Sequence, residues 1–159
     1  MPIFDAPPEY PLALDNDIFT HLRTRQPYVL KYIVQNLYDS GKLAVIPAMT
    51  LFEARFGIEK SFANKKISTE LANIQLQQIN ILADQHTVID FNQKATEIAA
   101  YVFARLSQSD RNKHWRDVFI VATAIANGYG LATQNRKDME LIAKNLPPDI
   151  FLRIAVWKK

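Results

Sequence analysis

Hydrophobic and polar positions along this chain fall into two alternating patterns. Short apolar runs recur at Pro11–Leu14, Leu43–Pro47, His86–Phe91, Leu131–Thr133 and Phe151–Trp157, each bounded by polar or turn residues, and each reads as a buried strand. Between them the apolar residues repeat at helical spacing. Ile18, Phe19 and Leu22 begin one helix, which Pro27 interrupts; Pro27 then suits the first turn of a second, Tyr28 to Tyr38, whose Val29, Ile33, Val34 and Leu37 share a face. Gly41 closes it. Thr50 to Glu53 opens a helix that passes Gly57 and ends near Phe62. After the Lys65-Lys66 link, Ser68 caps another through Leu82, and Asn92 caps one with Ile98, Ala99, Val102, Phe103 and Leu106 on one face. A last helix is expected near Met139 to Asn145, before Pro147-Pro148. Residues 1–10, with Pro2, Pro7 and Pro8, read as an extended lead-in.

One stretch breaks the pattern. From Val118 to Ala126 the chain is apolar almost without interruption, and Asn127-Gly128 reads as a helix stop. A helix apolar on every side belongs in the middle of a domain. Asp117 stands directly before it, so a carboxylate is expected near the molecular centre, where burial is costly unless something pairs with it.

Strands alternating with helices predict an α/β fold with a parallel sheet and helices on both faces, as a single domain over residues 1–159. In such sheets the ligand site lies beyond the carboxyl ends of the strands. Asp15 follows the first strand directly, Glu53 lies just after the second, and Asn135 and Asp138 follow the fourth. Asp117 joins them only if its helix starts at the same edge. The helix before it, about 14 residues, would be roughly 21 Å long. The polar link from Ser107 to His114, taken as extended, would reach roughly 26 Å, so the return is feasible.

Composition narrows the chemistry. Cysteine is absent, which excludes disulfides and thiolate metal sites and leaves oxygen or imidazole donors. Clustered carboxylates raise one another's pKa, and a divalent cation resolves the repulsion; oxygen ligands suit Mg²⁺ or Mn²⁺ rather than zinc. With such an ion, metal-assisted phosphodiester hydrolysis is the reaction class that fits. No apolar run would span a membrane and the start does not read as a signal peptide, so a cytoplasmic protein is expected. The formal net charge is +3 and the pI about 9.1, which permits a nucleic-acid partner without requiring one. Arg111, Lys113, His114 and Arg116 crowd ahead of Asp117, where cations oppose the helix dipole. With Trp115 they are candidates for holding nucleic-acid phosphates and stacking a base, as are Arg55, Arg136 and Lys137 for phosphates. The competing reading is a solvated loop that is basic by chance.

The segments LALDNDIF, VIPAMTLFEARFGI and DVFIVATAIANGYGLATQNRKDM, in this order and spacing, resemble the PIN-domain family, and specifically the VapC-type toxins of bacterial toxin–antitoxin pairs. The likeness runs from about Leu12 to Trp157. It implies a three-layer sandwich around a mostly parallel sheet of about five strands. It also implies a magnesium- or manganese-dependent endoribonuclease, usually a homodimer, inhibited by a cognate antitoxin. It would place Asp15, Glu53 and Asp117 as the catalytic, metal-binding core, with Asp138 as a further ligand and Asp17 and Asn135 as supporting or water-orienting groups. Two positions depart from the family pattern: Asp17 stands where Asn is common, and Asn135 where many relatives carry Asp. These departures leave room for a catalytically degenerate PIN-fold protein that binds RNA or a partner. Structural roles compete at each acid as well. Thr50-x-x-Glu53 matches a capping box, Asp15 and Asp17 match helix caps, and Asp138 matches a first-turn helix carboxylate. A response-regulator-like Mg²⁺ module would want a phosphoacceptor Asp paired with a later Lys, and no convincing pair is present.

Overall fold

Side chains alternate across a strand, so each strand residue feeds one face of the sheet or the other. The computed structural model, which describes residues 2–159, follows that rule closely. Leu12 and Leu14 pack into one core and Ala13 into a second; Ala132 goes to the first and Leu131 to the second. Both faces are therefore covered, and near-continuous apolar strands are what such a sheet requires.

In chain order the elements are β1 (Ile3–Asp5), β2 (Leu12–Leu14), α1 (Asn16–Arg23), α2 (Pro27–Ser40), β3 (Ile46–Pro47), α3 (Ala48–Ala63), α4 (Thr69–Gln85), β4 (Val88–Ile89), α5 (Gln93–Arg105), α6 (Gln108–Ala126), β5 (Gly130–Thr133), α7 (Arg136–Ala143) and β6 (Leu152–Val156). The strands run β1-β6-β5-β2 and β3-β4, every pair parallel. A bridge between Ala13 and Val45 joins the two groups, with Leu14 N–H donating to Val45 O at 2.9 Å and Val45 N–H to Leu12 O at 3.0 Å. The result is an α/β sandwich around one parallel sheet. Helices α1 to α4 supply the core on one face, and α5, α6 and α7 the core on the other.

Two glycines fit their places for specific reasons. Gly128, at φ 84°, turns the chain out of α6. Gly130 opens β5, where an added Cβ would come within 2.9 Å of Arg153 O on the neighbouring strand.

Three expectations need correction. The lead-in is part of the sheet, since Ile3–Asp5 pairs with Leu152–Ile154; three residues with one buried side chain are too few to show a period. On α2 the buried face is Val29, Ile33 and Asn36, while Val34 and Leu37 are exposed. Asn36 is held there because its Nδ2 donates to Tyr10 O at 3.1 Å. The largest correction is at the presumed link before Trp115. Residues 108–114 are helical, so α6 starts at Gln108 and Asp117 sits well inside it rather than at its head. Ser107 is the cap, accepting from Asp110 N–H at 3.1 Å, a Ser-x-x-Asp spacing that marks a helix start. With α5 packed against α6, Asp117 reaches the site from the side of α6.

Candidate metal centre

Asp15 is the fixed point of the site. Its strand ends in the middle of the sheet, and its own carboxylate caps α1, with Oδ1 accepting from Asn16 N–H at 2.8 Å. Oδ2 accepts from Thr133 Oγ1 at 2.7 Å, across from the end of β5. Only 4% of the residue is exposed. Burial, with the charges of Asp17 and Asp117 nearby, lifts its pKa to about 8 despite those hydrogen bonds. Two residues on, Asp17 accepts from Ile18 N–H at 2.7 Å and from Gln134 N–H at 3.3 Å. Burial raises it too.

The other acids come from helices. Thr50 is not the cap of a capping box: α3 begins at Ala48, and the Thr50 hydroxyl donates to Leu14 O at 3.0 Å, pinning α3 to the end of β2. Glu53 is thereby carried to the same edge. Its Oε1 is buried with no hydrogen-bond partner. Burial first and Asp117 second push its carboxyl up to about 7, while Arg116 pulls the other way. Asp117 is raised by burial and by Asp138, against a hydrogen bond from His114. Asp15, Asp17, Glu53, Asp117 and Asp138 thus form one set whose members feel each other's charge.

His114 was expected in a basic loop. It is instead buried on α6 one turn before Asp117, with Nδ1 3.4 Å from Asp117 Oδ2. Ligand atoms of His114, Asp117 and Asp138 all lie within 4.8 Å of one another. Asn135 caps α7, accepting from Asp138 N–H at 3.2 Å, and its Nδ2 donates to Asp138 Oδ2 at 2.5 Å. The sequence signals for the missed groups are local: His114-x-x-Asp117 puts two side chains on one helix face, and Thr133 is a hydroxyl at the end of an apolar strand.

The basic candidates disperse. Arg111, Lys113 and Lys137 are exposed. Arg55 donates to Asn80 on α4 at 2.9 Å. Arg136 is engaged by Asp5 at 2.8 Å and Glu140 at 3.0 Å. Arg116 alone stays beside the acids, its guanidinium 4.9 Å from the Trp115 ring centre and 5.5 Å from that of Phe56.

The donor set suits a hard divalent cation. It is dominated by carboxylates, two of them, Asp15 and Glu53, held partly neutral by burial and neighbouring charge, and Glu53 offers a buried oxygen that no protein group satisfies. A nest of acids at the carboxyl edge of a parallel sheet defines a class, that of α/β proteins built to gather acidic ligands at a strand edge. The chain belongs to the PIN domain family, whose sequence profile matches residues 25–145. That span includes Glu53, Asp117 and Asp138 and starts after Asp15. The family is one of nucleases. The plasmid stability protein StbB of Pseudomonas syringae pv. tomato (strain ATCC BAA-871 / DC3000) is 25% identical over 137 residues, 85% of this chain and 95% of that protein. The fold is shared with DNA-bound VapBC from Salmonella typhimurium, with a TM-score of 0.69 at 21% identity over 94% of this chain and 99% of that one. It is shared also with VapBC2 from Rickettsia felis bound to a promoter DNA fragment, with a TM-score of 0.66 at 19% identity over 92% and 98%. No helix among the described residues is long and apolar enough to cross a membrane.

Proposed function

We propose that this chain is a metal-dependent endoribonuclease, the toxin of a VapBC-type toxin–antitoxin pair acting in the cytoplasm. The observation that carries the proposal is the convergence of Asp15, Glu53 and Asp117 on one edge, with Glu53 Oε1 buried and unpartnered and the carboxyls raised to about 8 at Asp15 and about 7 at Glu53. These three would hold Mg²⁺ or Mn²⁺, with Asp138 as a further donor. When bound, the cation supplies positive charge to the phosphodiester oxygens and acidifies water for in-line attack on phosphorus.

The chain's own groups do the positioning. Thr133 and the Asn16 N–H fix the Asp15 carboxylate from two sides. His114 orients Asp117, Gln134 N–H steadies Asp17, and Asn135 holds Asp138, so that the two would orient water on the cation. Arg116 is the nearest candidate for an incoming phosphate, and Arg111, Lys113 and Lys137 are exposed for outlying contacts.

An antitoxin partner and a homodimer belong to the same reading. VapBC-5 from Mycobacterium tuberculosis, which shares the fold, is named as a member of the VapBC family of toxin–antitoxin systems, and this chain exposes apolar residues that a partner would cover, Leu30, Val34 and Leu37 on α2 and Leu71, Ile74 and Ile81 on α4. The test is cleavage of single-stranded RNA by the purified chain with Mg²⁺ or Mn²⁺, with EDTA, and with Asp117→Asn. Metal-dependent cleavage lost in the variant supports the assignment. Cleavage that persists in Asp117→Asn, or none by the natural sequence, leaves the non-cleaving PIN-fold binder as the better account.

A further inference from the structure

Beside the acids, the C-terminal strand and α2 make a second feature that the metal centre does not use. Tyr32 stacks on Trp157, ring centres 5.2 Å apart and planes within 6°. Tyr28 meets Tyr32 edge-on, with centres 6.4 Å apart. Tyr28 and Tyr32 line an open cleft of about 660 Å³, together with Lys31, Lys158 and Lys159. That volume is within the usual range for ligand sites, about 300–1,000 Å³. The three lysines are exposed, and none is in an ion pair among the described residues.

The cleft is tied to the acid cluster at two points. Trp157 N–H donates to Thr133 O at 3.1 Å, and the Thr133 hydroxyl holds Asp15. On the other side Gln134 Nε2 donates to the Tyr28 hydroxyl at 2.5 Å, while the Gln134 N–H donates to Asp17. His21 completes this network through its own hydrogen bond to the Tyr28 hydroxyl.

Aromatic rings backed by a fixed partner, rimmed by free ammonium groups and open to solvent, match what a flexible polynucleotide offers: a base face to stack and phosphates to neutralise. An acidic peptide would use the lysines but leave the tyrosine ladder without a role. We infer that the Tyr28–Tyr32–Lys158 cleft is a subsite for single-stranded RNA, where one base stacks against Tyr32 and the flanking phosphates lie on Lys31 and Lys158 while the scissile bond sits at Asp15 and Asp117. The inference rests on the nuclease reading above for its substrate and names which side of the cluster the strand leaves by.

The test is direct binding and photocrosslinking of a single-stranded oligoribonucleotide carrying 5-iodouridine, using the full chain as Asp117→Asn with Mg²⁺ so that binding is read without cleavage. Crosslinks are expected within residues 27–35. Tyr32→Ala should raise Kd about tenfold, with Tyr32→Phe near the parent value, since base stacking on an aromatic ring is sequence-tolerant and needs the ring alone. Replacing Lys31 and Lys158 by Ala should lower the salt slope by about two in all, one for each phosphate contact. With residue 117 restored, Tyr32→Ala should raise the KM for RNA cleavage and leave kcat in place, which a merely destabilised fold would not do.

An unchanged Kd in Tyr32→Ala with crosslinks elsewhere would overturn the cleft, and so would loss of a protein partner's binding with RNA affinity intact. The two readings fail separately. A chain that binds and crosslinks RNA through the cleft yet never cleaves it refutes the nuclease and keeps the subsite; one that cleaves with unchanged KM in Tyr32→Ala does the reverse.

Discussion

The two halves of the acid cluster are built in opposite ways. Asp15 and Asp17 lie at the end of β2 and the start of α1, and backbone N–H groups and the Thr133 hydroxyl satisfy their oxygens. Glu53 and Asp117 project from the bodies of α3 and α6, where helix N–H groups are already committed to the ladder. Glu53 has a buried oxygen with no partner, and Asp117 has a single side-chain contact, His114. The strand half is a preformed anchor. Hydrogen bonds do not settle the charge of either half, since Asp15 stays raised to about 8 and Glu53 to about 7, and a cation is the group that would relieve both.

The sharpest break of this comparison is Asp117→Asn. It should reduce metal-dependent RNA cleavage by at least roughly 10³-fold, the scale of losing a principal charge at a transition state, while the circular dichroism spectrum stays unchanged. Next is Glu53→Gln. Because burial and Asp117 disfavour the charged form, the neutral amide should raise the melting temperature of the metal-free protein at pH 8 and abolish the further rise that Mn²⁺ gives the natural sequence. A differential scanning experiment with and without Mn²⁺ reads both.

The pH dependence follows from the same shifts. Asp15 is raised from 3.8 to about 8 and Glu53 from 4.5 to about 7, so between those limits the folded state keeps protons that the unfolded state has released. Metal-free stability should therefore fall as pH rises from about 4 to about 8. Saturating Mn²⁺ should flatten that slope. A smaller effect is expected on the anchored half: Thr133→Val removes the hydroxyl's two hydrogen bonds, to Asp15 and from Asn135 N–H, and should cost about 1–3 kcal/mol in urea unfolding. Least of all, Arg136→Ala should leave cleavage unchanged, because that side chain is occupied by Asp5 and Glu140.

The same division marks what the sequence could tell. Strands announce themselves through apolar runs, and an acid at the end of one is placed by the chain's direction, so Asp15 and the parallel α/β fold were legible. The edge strand Ile3–Asp5 was not, because it is too short for a period to appear. Helix-borne groups were harder. The run from Gln108 to Lys113 is polar and looks like a loop, although the Ser107-x-x-Asp110 cap that starts the helix is a local signal. That error put Asp117 at a helix head and His114 in solvent. Thr50 matched a capping box with Glu53, yet tertiary packing turned its hydroxyl to Leu14 O. The stack of Tyr32 on Trp157 joins positions far apart in the chain, and such a contact leaves no trace in local spacing.

The most direct test of the central claim is calorimetric titration of the full chain with Mn²⁺ at pH 7 in two buffers of different ionisation enthalpy. A cation binding among Asp15, Glu53 and Asp117 must displace the protons that raised carboxyls hold there, so about one proton should be released per ion bound. Asp117→Asn should show binding weakened by at least roughly tenfold. Mn²⁺ binding with no proton release, or with the same affinity in Asp117→Asn, would contradict the account.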